Sequence, residues 1–202
     1  MTTLVLVRHG ETLWHGENRY AGSSDVGLTD RGAGQAGRLG GWAATAALDA
    51  VYSSDLSRAV ITATPAASAA GTGLVIDPRL REVHFGRGEG MTRSEMHTAF
   101  PEALASFHAA PATSALPEGE TGTAAIGRAW PALEEIAARH SGGRVLVVVH
   151  STLMRLILCR VLDIPPDRYR SAFPGVLNGA LTTISLGPGA PPALHGYNVP
   201  TG

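Results

Sequence analysis

Two uninterrupted runs of leucine and β-branched residues constrain the fold of this chain most strongly. Leu4 to Val7 and Val145 to Val149 contain no polar residue, which is typical of strands that are buried on both faces of a parallel sheet. A weaker third strand is predicted at Ala50 to Ser53. These runs therefore predict a central sheet that is largely parallel.

Alanine-rich stretches between these strands have helical character. The predicted helices are Thr29 to Ala47, Leu56 to Ala70 and Thr121 to His140. Thr29 is the expected N-cap of the first helix, Asp55 or Ser54 that of the second, and Gly142-Gly143 ends the third. Because strand and helix alternate, we predict an α/β fold, a three-layer α/β/α sandwich with a mostly parallel central sheet.

The alternation breaks between Gly88 and Glu120, where three prolines separate short helical pieces. This segment, about 88–120, is expected to form a small helical insertion over the C-terminal strand ends, with its methionine and phenylalanine residues as its own core. Ala180 to Leu186 and Ala193 to Tyr197 are predicted to be two edge strands. A length of 202 residues favours a single domain, residues 1–202, that includes the insertion.

The composition excludes several classes of function. A net charge of -1 gives no basic face for nucleic acid or a membrane surface, so neither partner is expected. All 16 positive side chains are arginine, and without lysine there can be no P-loop. The single cysteine, Cys159, lies among apolar residues and is expected to be a buried helix residue rather than a nucleophile. No apolar run is long enough to span a bilayer, so we expect a cytoplasmic protein.

Basic and imidazole side chains follow the predicted strands at the point where each strand ends. Arg8 and His9 come directly after the first run, His150 after the second, and Arg58 shortly after the weak strand. Because ligands of open α/β sheets bind outside the carboxyl ends of the strands, these four side chains are expected to converge. Two arginines and two histidines without an acidic metal-binding cluster suit a phosphate dianion, and histidine can also attack phosphorus.

Five blocks of residues occur in an order that is found in a known family. They are Arg8-His9-Gly10-Glu11-Thr12 followed by Gly22, Asp25, Leu28-Thr29, Gly32 and Gln35-Ala36; Ser53-Ser54-Asp55-Leu56-Ser57-Arg58-Ala59 with Thr62-Ala63; Leu80-Arg81-Glu82 with Phe85-Gly86 and Glu89-Gly90; Pro117 with Gly119-Glu120-Thr121; and Val147 to His150. With these blocks the chain strongly resembles the histidine phosphatase (phosphoglycerate mutase-like) superfamily, phosphatase branch, over about residues 3 to 186.

The resemblance implies a role for each matched residue. His9 would be the nucleophile that becomes phosphohistidine, and Glu82 the general acid and base. Arg8, Arg58 and His150 would hold the phosphoryl oxygens and stabilise charge in the transition state. The expected phosphate- or substrate-binding residues are Thr12, His15, Gly22 and Ser151. Neither a metal nor a cofactor is expected.

Three positions depart from the family's usual pattern. His15 stands where the family usually has an asparagine phosphate ligand, Ser151-Thr152 follow His150 where many members have two glycines, and Gly88 stands where phosphatase-like members often have tryptophan. These changes affect the substrate side of the pocket more than the chemistry at phosphorus.

The predicted activity is that of a metal-independent phosphomonoesterase, a histidine acid phosphatase-type phosphoric monoester hydrolase that acts on a small phosphorylated metabolite. A homodimer is an open alternative to a monomer. Two other functions remain open: a phosphoglycerate mutase-type phosphotransferase and a non-catalytic binder of a phosphate ligand. The mutases are longer and use a pocket lysine, which this chain lacks, whereas binding alone would not require His9 together with Glu82.

Purely structural roles are the alternative for several site residues. Arg58 would then pair with Asp55 on its own helix, and Glu82 would pair at the surface with Arg79 or Arg81. Glu89 is a rival candidate for the acid. Glu120 is expected to be a helix-start residue rather than a site residue.

Overall fold

A six-stranded mixed sheet lies at the centre of the fold. The computed structural model describes residues 1–201. In chain order the strands are β1 (Thr2–Arg8), β2 (Ala50–Ser53), β3 (Leu74–Ile76), β4 (Arg144–Val149), β5 (Leu181–Leu186) and β6 (Ala193–Val199). They are arranged as β3-β2-β4-β1-β5-β6. Strands β1 to β4 are parallel to one another, whereas β5 is antiparallel to β1 and β6 is antiparallel to β5.

The two predicted central strands pair with each other. Val5 lies opposite Leu146 and Arg8 opposite Val149, and the apolar side chains of both strands are fully buried. The predicted parallel pair is therefore confirmed, and so is the weak strand β2. Because the two strands end at the same level, the residues that follow them emerge side by side.

Helices cover both faces of the sheet. They are α1 (Asp30–Ala43), α2 (Ser57–Ala69), α3 (Arg93–Ala99), α4 (Pro101–Ala109), α5 (Gly122–Arg139), α6 (Ser151–Val161) and α7 (Tyr169–Ala172). On one face α1 and α2 pack over the side chains of Val5 and Val148. On the other face α5 and α6 pack over Leu6 and Val147. Alternate residues of each central strand thus feed opposite cores, and the predicted three-layer α/β/α fold is confirmed.

Of the three helices predicted between the strands, two begin at a threonine whose hydroxyl caps the helix N-terminus. The Thr29 hydroxyl accepts a hydrogen bond from the Gly32 amide (3.0 Å) and begins α1 as predicted, and Thr121 caps α5 in the same way. The predicted cap of α2 by Asp55 or Ser54 is wrong, because its N-cap residue is Leu56, which makes no side-chain cap. Asp55 instead pairs with an arginine of another element, and Ser54 turns into the site described below.

The sheet differs from the prediction at both ends. Strand β3 was not predicted, because three residues that are half-buried or exposed have no recognisable period. The prediction of two edge strands near the C-terminus is wrong for β5, which lies between β1 and β6. Ile184 of β5 pairs with Leu4 and is fully buried, so β5 belongs to the core of the sheet and only β6 is an edge.

Helices α3 and α4 occupy the region where the alternation breaks. Met96 and Phe107 are buried there and join the main core, which places them in packing rather than in a substrate cage. Phe107 also contacts the rings of Tyr20 and Phe85. The single-domain organisation with an insertion at about 88–120 stays a prediction.

Cys159 lies fully buried in α6. Burial raises the pKa of its thiol to about 11, so the side chain remains a neutral thiol. Its predicted role as a buried helix residue is confirmed. Among the helices of residues 1–201, none is both long enough and apolar enough to cross a membrane.

Candidate active site

The two histidines that follow β1 and β4 lie together at the carboxyl ends of these strands. The ring centroids of His9 and His150 are 5.1 Å apart, and both side chains are buried. The His9 amide donates to the carbonyl of Val149 (3.1 Å), which extends the strand pairing by one residue. His9 lines a cavity of about 300 Å³, whereas His150 is fully buried and is not part of the lining.

The ring of His9 presents one nitrogen to the cavity. Its Nδ1 lies 2.7 Å from the carbonyl oxygen of Gly10. A carbonyl only accepts, so Nδ1 carries the proton and donates it, which leaves a lone pair on Nε2. Burial, together with the charges of Arg58 and Arg8, lowers the pKa of His9 well below its ordinary value. The ring is therefore neutral at pH 7 and is a competent nucleophile.

His150 is also neutral but is held differently. Its Nε2 lies 2.7 Å from the hydroxyl of Ser54, and its Nδ1 is buried without a hydrogen-bond partner among residues 1–201. Burial, then the charge of Arg58, lowers the pKa of His150 well below its ordinary value. A buried nitrogen without a partner is costly, and a ligand oxygen would supply that partner.

Arg58 is a buried cation whose hydrogen bonds go to backbone carbonyls. Its terminal nitrogens donate to Ser24 O (2.7 Å), Gly22 O (2.7 Å) and Ala21 O (3.2 Å), while its Nε has no partner within the described chain. Asp55, its alternative partner, accepts from Arg81 instead (2.6 Å). Burial lowers the pKa of Arg58, although it remains a cation. Its charge is thus not neutralised by a bonded carboxylate.

Arg8 is held in a similar way on the other side. It donates to the carbonyl of Val176 (2.7 Å), its Nη2 lies 2.7 Å from Nε2 of His15, and its Nε is buried without a partner in the described part of the chain. Burial lowers the pKa of Arg8 to about 10, against the opposing charge of Glu82. Both arginines therefore keep a positive charge and a buried Nε–H group without a partner.

Glu82 caps the helix that begins beside His150. Its carboxylate accepts from the amides of Thr152 (2.8 Å), Leu153 (2.8 Å) and Val83 (2.9 Å). The amides of Thr152 and Leu153 belong to the first turn of α6, where the helix dipole favours an anion. The alternative surface pairs with Arg79 or Arg81 do not form, since those arginines pair with other carboxylates. Glu82 is buried and lines the cavity.

His15 links Arg8 to the first loop. Nε2 of His15 lies 2.7 Å from Nη2 of Arg8, while its Nδ1 accepts from the Thr12 amide (3.0 Å) and lies 2.8 Å from the Thr12 hydroxyl. Burial, and next the charge of Arg8, lowers the pKa of His15 to about 4. Thr12, His15 and Ser151 all line the cavity, and Ser151 accepts a hydrogen bond from Arg155.

Gly22 lies outside the cavity lining and supports Arg58. Its carbonyl accepts from Arg58, and its amide donates to the carboxylate of Glu89 (3.0 Å). A Cβ at Gly22 would lie 2.2 Å from the carbonyl oxygen of Val83, so no larger residue fits without moving the backbone. The role of Gly22 in substrate binding stays a prediction.

Glu89, the rival acid, is occupied by backbone donors. Its carboxylate accepts from the amides of Gly22, Ser23, Ser24 and Phe85 and from the Ser24 hydroxyl, at 2.7–3.1 Å. It therefore fixes the loop whose carbonyls hold Arg58. Glu120 likewise has a structural partner, because it forms an ion pair with Arg128 (2.8 Å).

Several residues of the site were not found from the sequence. Asn178 donates to the carbonyl of His9 (2.8 Å), and Arg155, Tyr169 and Arg170 line the cavity. Arg155 could have been found, since it lies one helical turn after Ser151. The other three come from loops and a short helix far along the chain, and no pattern marked them.

The site lies at the carboxyl ends of parallel strands in an α/β protein. It contains a neutral imidazole, buried arginines with no bonded carboxylate, and a helix N-terminus, which together suit a phosphoryl group. Within the described chain, no group of three or more histidine, cysteine or carboxylate side chains is placed to hold a metal ion. The site is therefore built to bind an oxyanion through nitrogen donors and to place one free imidazole nitrogen against it.

Comparisons with known proteins agree with this class. The model of the histidine phosphatase superfamily (branch 1) matches residues 4–199, and the chain belongs to that family. A metal-independent phosphoserine phosphatase of Arabidopsis thaliana is 38% identical over 92% of this chain and 77% of its own. Phosphoserine phosphatase 1 of Hydrogenobacter thermophilus is 32% identical, with 85% and 81% covered. The solved structure of Bacillus stearothermophilus YhfR has a TM-score of 0.88 at 35% identity, with 96% and 95% covered.

Replacement of Glu89 tests its role in fixing the loop. Burial by itself raises the pKa of Glu89, but the amides of Phe85, Ser23 and Ser24 and the Ser24 hydroxyl outweigh it and lower the pKa. We expect Glu89→Gln to lower the free energy of unfolding by about 1–3 kcal/mol at pH 7, measured by urea denaturation.

The pH dependence of this loss follows from the sign of the shift. A depressed folded-state pKa gives stability that is present above about pH 4.3 and lost as the pH falls through the folded-state value. The difference between wild type and Glu89→Gln should therefore shrink in acid. Glu17→Gln, at an exposed carboxylate, should change stability by less than about 1 kcal/mol. A loss for Glu89→Gln no larger than that of Glu17→Gln would contradict the assignment.

The protonation states of His9 and His150 are open to direct measurement. Since burial and the nearby arginines lower both pKa values, both rings should still be neutral at a pH at which a histidine with an ordinary pKa of ~6.5 is mostly protonated. Nitrogen-15 NMR of the rings, assigned with His9→Asn and His150→Asn, measures this. Midpoints at or above that of a histidine in an unstructured peptide would show that the arginines do not act as described.

Proposed function

We propose that the protein hydrolyses phosphate monoesters of small metabolites through a covalent phosphohistidine at His9. The observation that carries the proposal is the geometry of His9, whose Nδ1–H donates to the Gly10 carbonyl (2.7 Å) while Nε2 is left without a proton. A nitrogen held in this state can attack phosphorus without first losing a proton. The two curated relatives, both phosphoserine phosphatases, support the same activity.

In the first step Nε2 of His9 forms a bond to phosphorus while the ester P–O bond breaks. A substrate that binds as its phosphate monoanion supplies a proton to the Glu82 carboxylate, and Glu82 gives that proton to the leaving alcohol oxygen. The resulting phosphohistidine keeps a proton on Nδ1, and the Gly10 carbonyl stabilises the positive charge that the ring gains. In the second step water attacks phosphorus, Glu82 takes up a proton from that water, and the P–N bond breaks to release inorganic phosphate and restore neutral His9.

The phosphoryl oxygens would be held by the donors that have no partner in the free protein. Arg8 and Arg58 each have a buried, unused Nε–H, and His150 has an unused Nδ1. These groups are already desolvated, so they can stabilise negative charge in a loose transition state with little reorganisation. Thr12, His15 and Ser151 are proposed as further ligands of the substrate.

The cavity indicates the size of the substrate. A volume of about 300 Å³ is at the small end of ligand pockets, which favours a metabolite over a segment of a folded protein. The finer assignment to the histidine acid phosphatase type also belongs to this proposal. It is supported by the lowered pKa of His9, which keeps the nucleophile neutral in mild acid. A cytoplasmic location and a homodimeric assembly stay predictions.

A mutase-type phosphotransferase and a non-catalytic binder are the alternatives. The mutases of this family use a pocket lysine that this chain lacks, and binding alone gives no reason to place a cavity-lining carboxylate, Glu82, beside the phosphoryl site. A mutase would isomerise 3-phosphoglycerate in the presence of bisphosphoglycerate. The proposed phosphatase would release inorganic phosphate instead, and a binder would do neither.

Replacement of His9 tests the covalent step. We expect wild-type protein, mixed with an aryl phosphate in excess chelator and quenched in alkali, to carry one phosphoryl group on the peptide that contains His9. His9→Ala should lose this mass shift and at least about a thousandfold in kcat. His195→Ala, at a histidine of β6 that contacts Ser185 of β5, is the matched control and should keep both. Undiminished turnover by His9→Ala would refute the mechanism.

Replacement of Glu82 tests the proton transfer. Because an alkoxide leaving group needs a proton and a nitrophenolate does not, Glu82→Gln should lower kcat/KM for an alkyl phosphate by about 10²–10⁴-fold and much less for p-nitrophenyl phosphate. The ratio of the two rates separates this role from a folding defect, which would lower both equally. An equal loss on both esters would exclude Glu82 as the acid.

A further inference from the structure

Two arginines at the cavity wall have no carboxylate partner and no task in the chemistry at phosphorus. Arg155 of α6 and Arg170 of α7 both line the cavity that contains His9. Neither lies within 4.0 Å of an acidic oxygen anywhere in residues 1–201. Arg19 also lines the cavity, but Glu17 and Glu95 neutralise it (2.8 Å each). The cavity thus has two free cations beyond those at the phosphoryl site.

These two guanidinium groups are fixed in place by neutral partners. Arg155 donates through Nε to the Ser151 carbonyl (3.1 Å) and through Nη2 to the Ser151 hydroxyl (2.9 Å), which leaves Nη1 unused. Its guanidinium carbon lies 5.1 Å from the ring centre of Tyr169. Arg170 lies 4.8 Å from the same ring and 4.7 Å from that of Phe107. Aromatic contacts hold the cations without cancelling their charge.

Tyr169 forms a rigid floor for both arginines. It is only 2% exposed, and burial raises the pKa of its hydroxyl to about 12, so it contributes no negative charge. The arrangement therefore differs from an ordinary surface pair, in which arginine would be neutralised by a carboxylate. Planar guanidinium groups held in this way are suited to bind a carboxylate through two N–H donors.

The charge balance of the cavity calls for more than a phosphoryl group. Arg8, Arg155 and Arg170 line the cavity, and Glu82 is the one acid in that lining among the described residues. Arg58 is not part of the lining, but its charge acts on His9. A phosphomonoester supplies about -1.5 to -2 charges at pH 7, which Arg8 and Arg58 at the phosphoryl site would balance, so the charges of Arg155 and Arg170 are left for another anionic group. Because Arg155 lies one turn of α6, about 5.4 Å, beyond the residue that follows His150, a substituent a few bonds from phosphorus would reach it.

We propose that Arg155 and Arg170 form a second anion subsite that selects phosphate esters of small carboxylic acids. The inference rests on the proposed phosphatase activity and specifies its substrate class: the phosphoryl group binds at His9, and the carboxylate of the same molecule binds the two guanidinium groups over Tyr169. Neutral alcohol phosphates of the same size would leave both cations unpaired and would be poorer substrates.

Matched substrates test the subsite directly. 3-Phosphoglycerate and glycerol 3-phosphate have the same carbon skeleton, but the first has a carboxylate where the second has a hydroxymethyl group. Phospho-L-serine and phosphoethanolamine form a second pair that differs by a carboxylate. We expect wild-type kcat/KM to favour the acid of each pair by about 10- to 100-fold, as expected for a hydrogen-bonded ion pair.

Variants of Arg155 and Arg170 test whether these two residues cause the preference for the carboxylic acid esters. Arg155→Gln and Arg170→Gln should each lower the preference, which is the ratio of kcat/KM for the acid to kcat/KM for its neutral partner, at least about fivefold, and Arg155→Lys should retain part of it. Arg160→Gln is the matched control, since Arg160 is also an arginine of α6 and lies over a ring, that of Trp130 (4.5 Å), outside this cavity. It removes the same charge and should leave the preference unchanged.

The outcomes separate the subsite from the phosphatase proposal. If all esters release phosphate but the acids are not preferred, or the preference survives in both glutamine variants, the subsite is refuted and the phosphatase stands. If no ester is hydrolysed, the phosphatase proposal fails, and calorimetry with His9→Ala decides the subsite. Tighter binding of 3-phosphoglycerate than of glycerol 3-phosphate, lost in His9→Ala/Arg155→Gln, would support it, and equal binding would refute it.

Discussion

The parallel register between β1 and β4 is the constraint on which the rest of the site depends. Arg8 lies opposite Val149, so the next residue of each strand, His9 and His150, emerges at the same level with ring centres 5.1 Å apart. A shift of one residue would turn one imidazole to the other face of the sheet. The fully buried side chains of both strands oppose such a shift, because it would exchange the residues that pack against α1 and α2 for those that pack against α5 and α6.

The arginine side chains at the phosphoryl site are held in place by neutral hydrogen-bond acceptors rather than by carboxylates. Arg58 is bonded to backbone carbonyls, and the loop that supplies them is held by Glu89 through the amides of Gly22, Ser23 and Ser24. A carboxylate bonded directly to Arg58 would satisfy the guanidinium but would also compete with a bound phosphoryl group. Because Glu89 bonds to the loop amides and not to Arg58 itself, the loop fixes Arg58 while its charge remains free to interact with a phosphoryl group. The buried, unpartnered Nε–H groups cost stability, and a bound anion would recover that cost.

The sequence predicts those parts of the structure that depend on residues close to one another along the chain. Apolar runs predicted β1 and β4, and the side chains directly after them predicted the approach of His9 and His150. Strand β3 has too few residues for a period. The half-exposed alternation of β5 is also typical of an edge strand, so it does not reveal that β1 pairs with it. The partners of Glu82, Glu89 and Arg170 come from distant elements, so only the folded chain distinguishes their roles.

The absence of lysine from this chain is compatible with the site because guanidinium can divide its donors between holding and binding. Arg58 uses its two terminal nitrogens on carbonyls and keeps Nε for a ligand, and Arg155 uses Nε and Nη2 on Ser151 and keeps Nη1. The ammonium group of lysine has only one nitrogen. A carbonyl that holds this nitrogen in place would therefore lie next to any anion that the same nitrogen binds. A guanidinium can therefore be buried and fixed by the hydrogen bonds of some N–H groups while its other N–H groups remain available to bind an anion. The same property allows one small cavity to hold cations for two anionic groups.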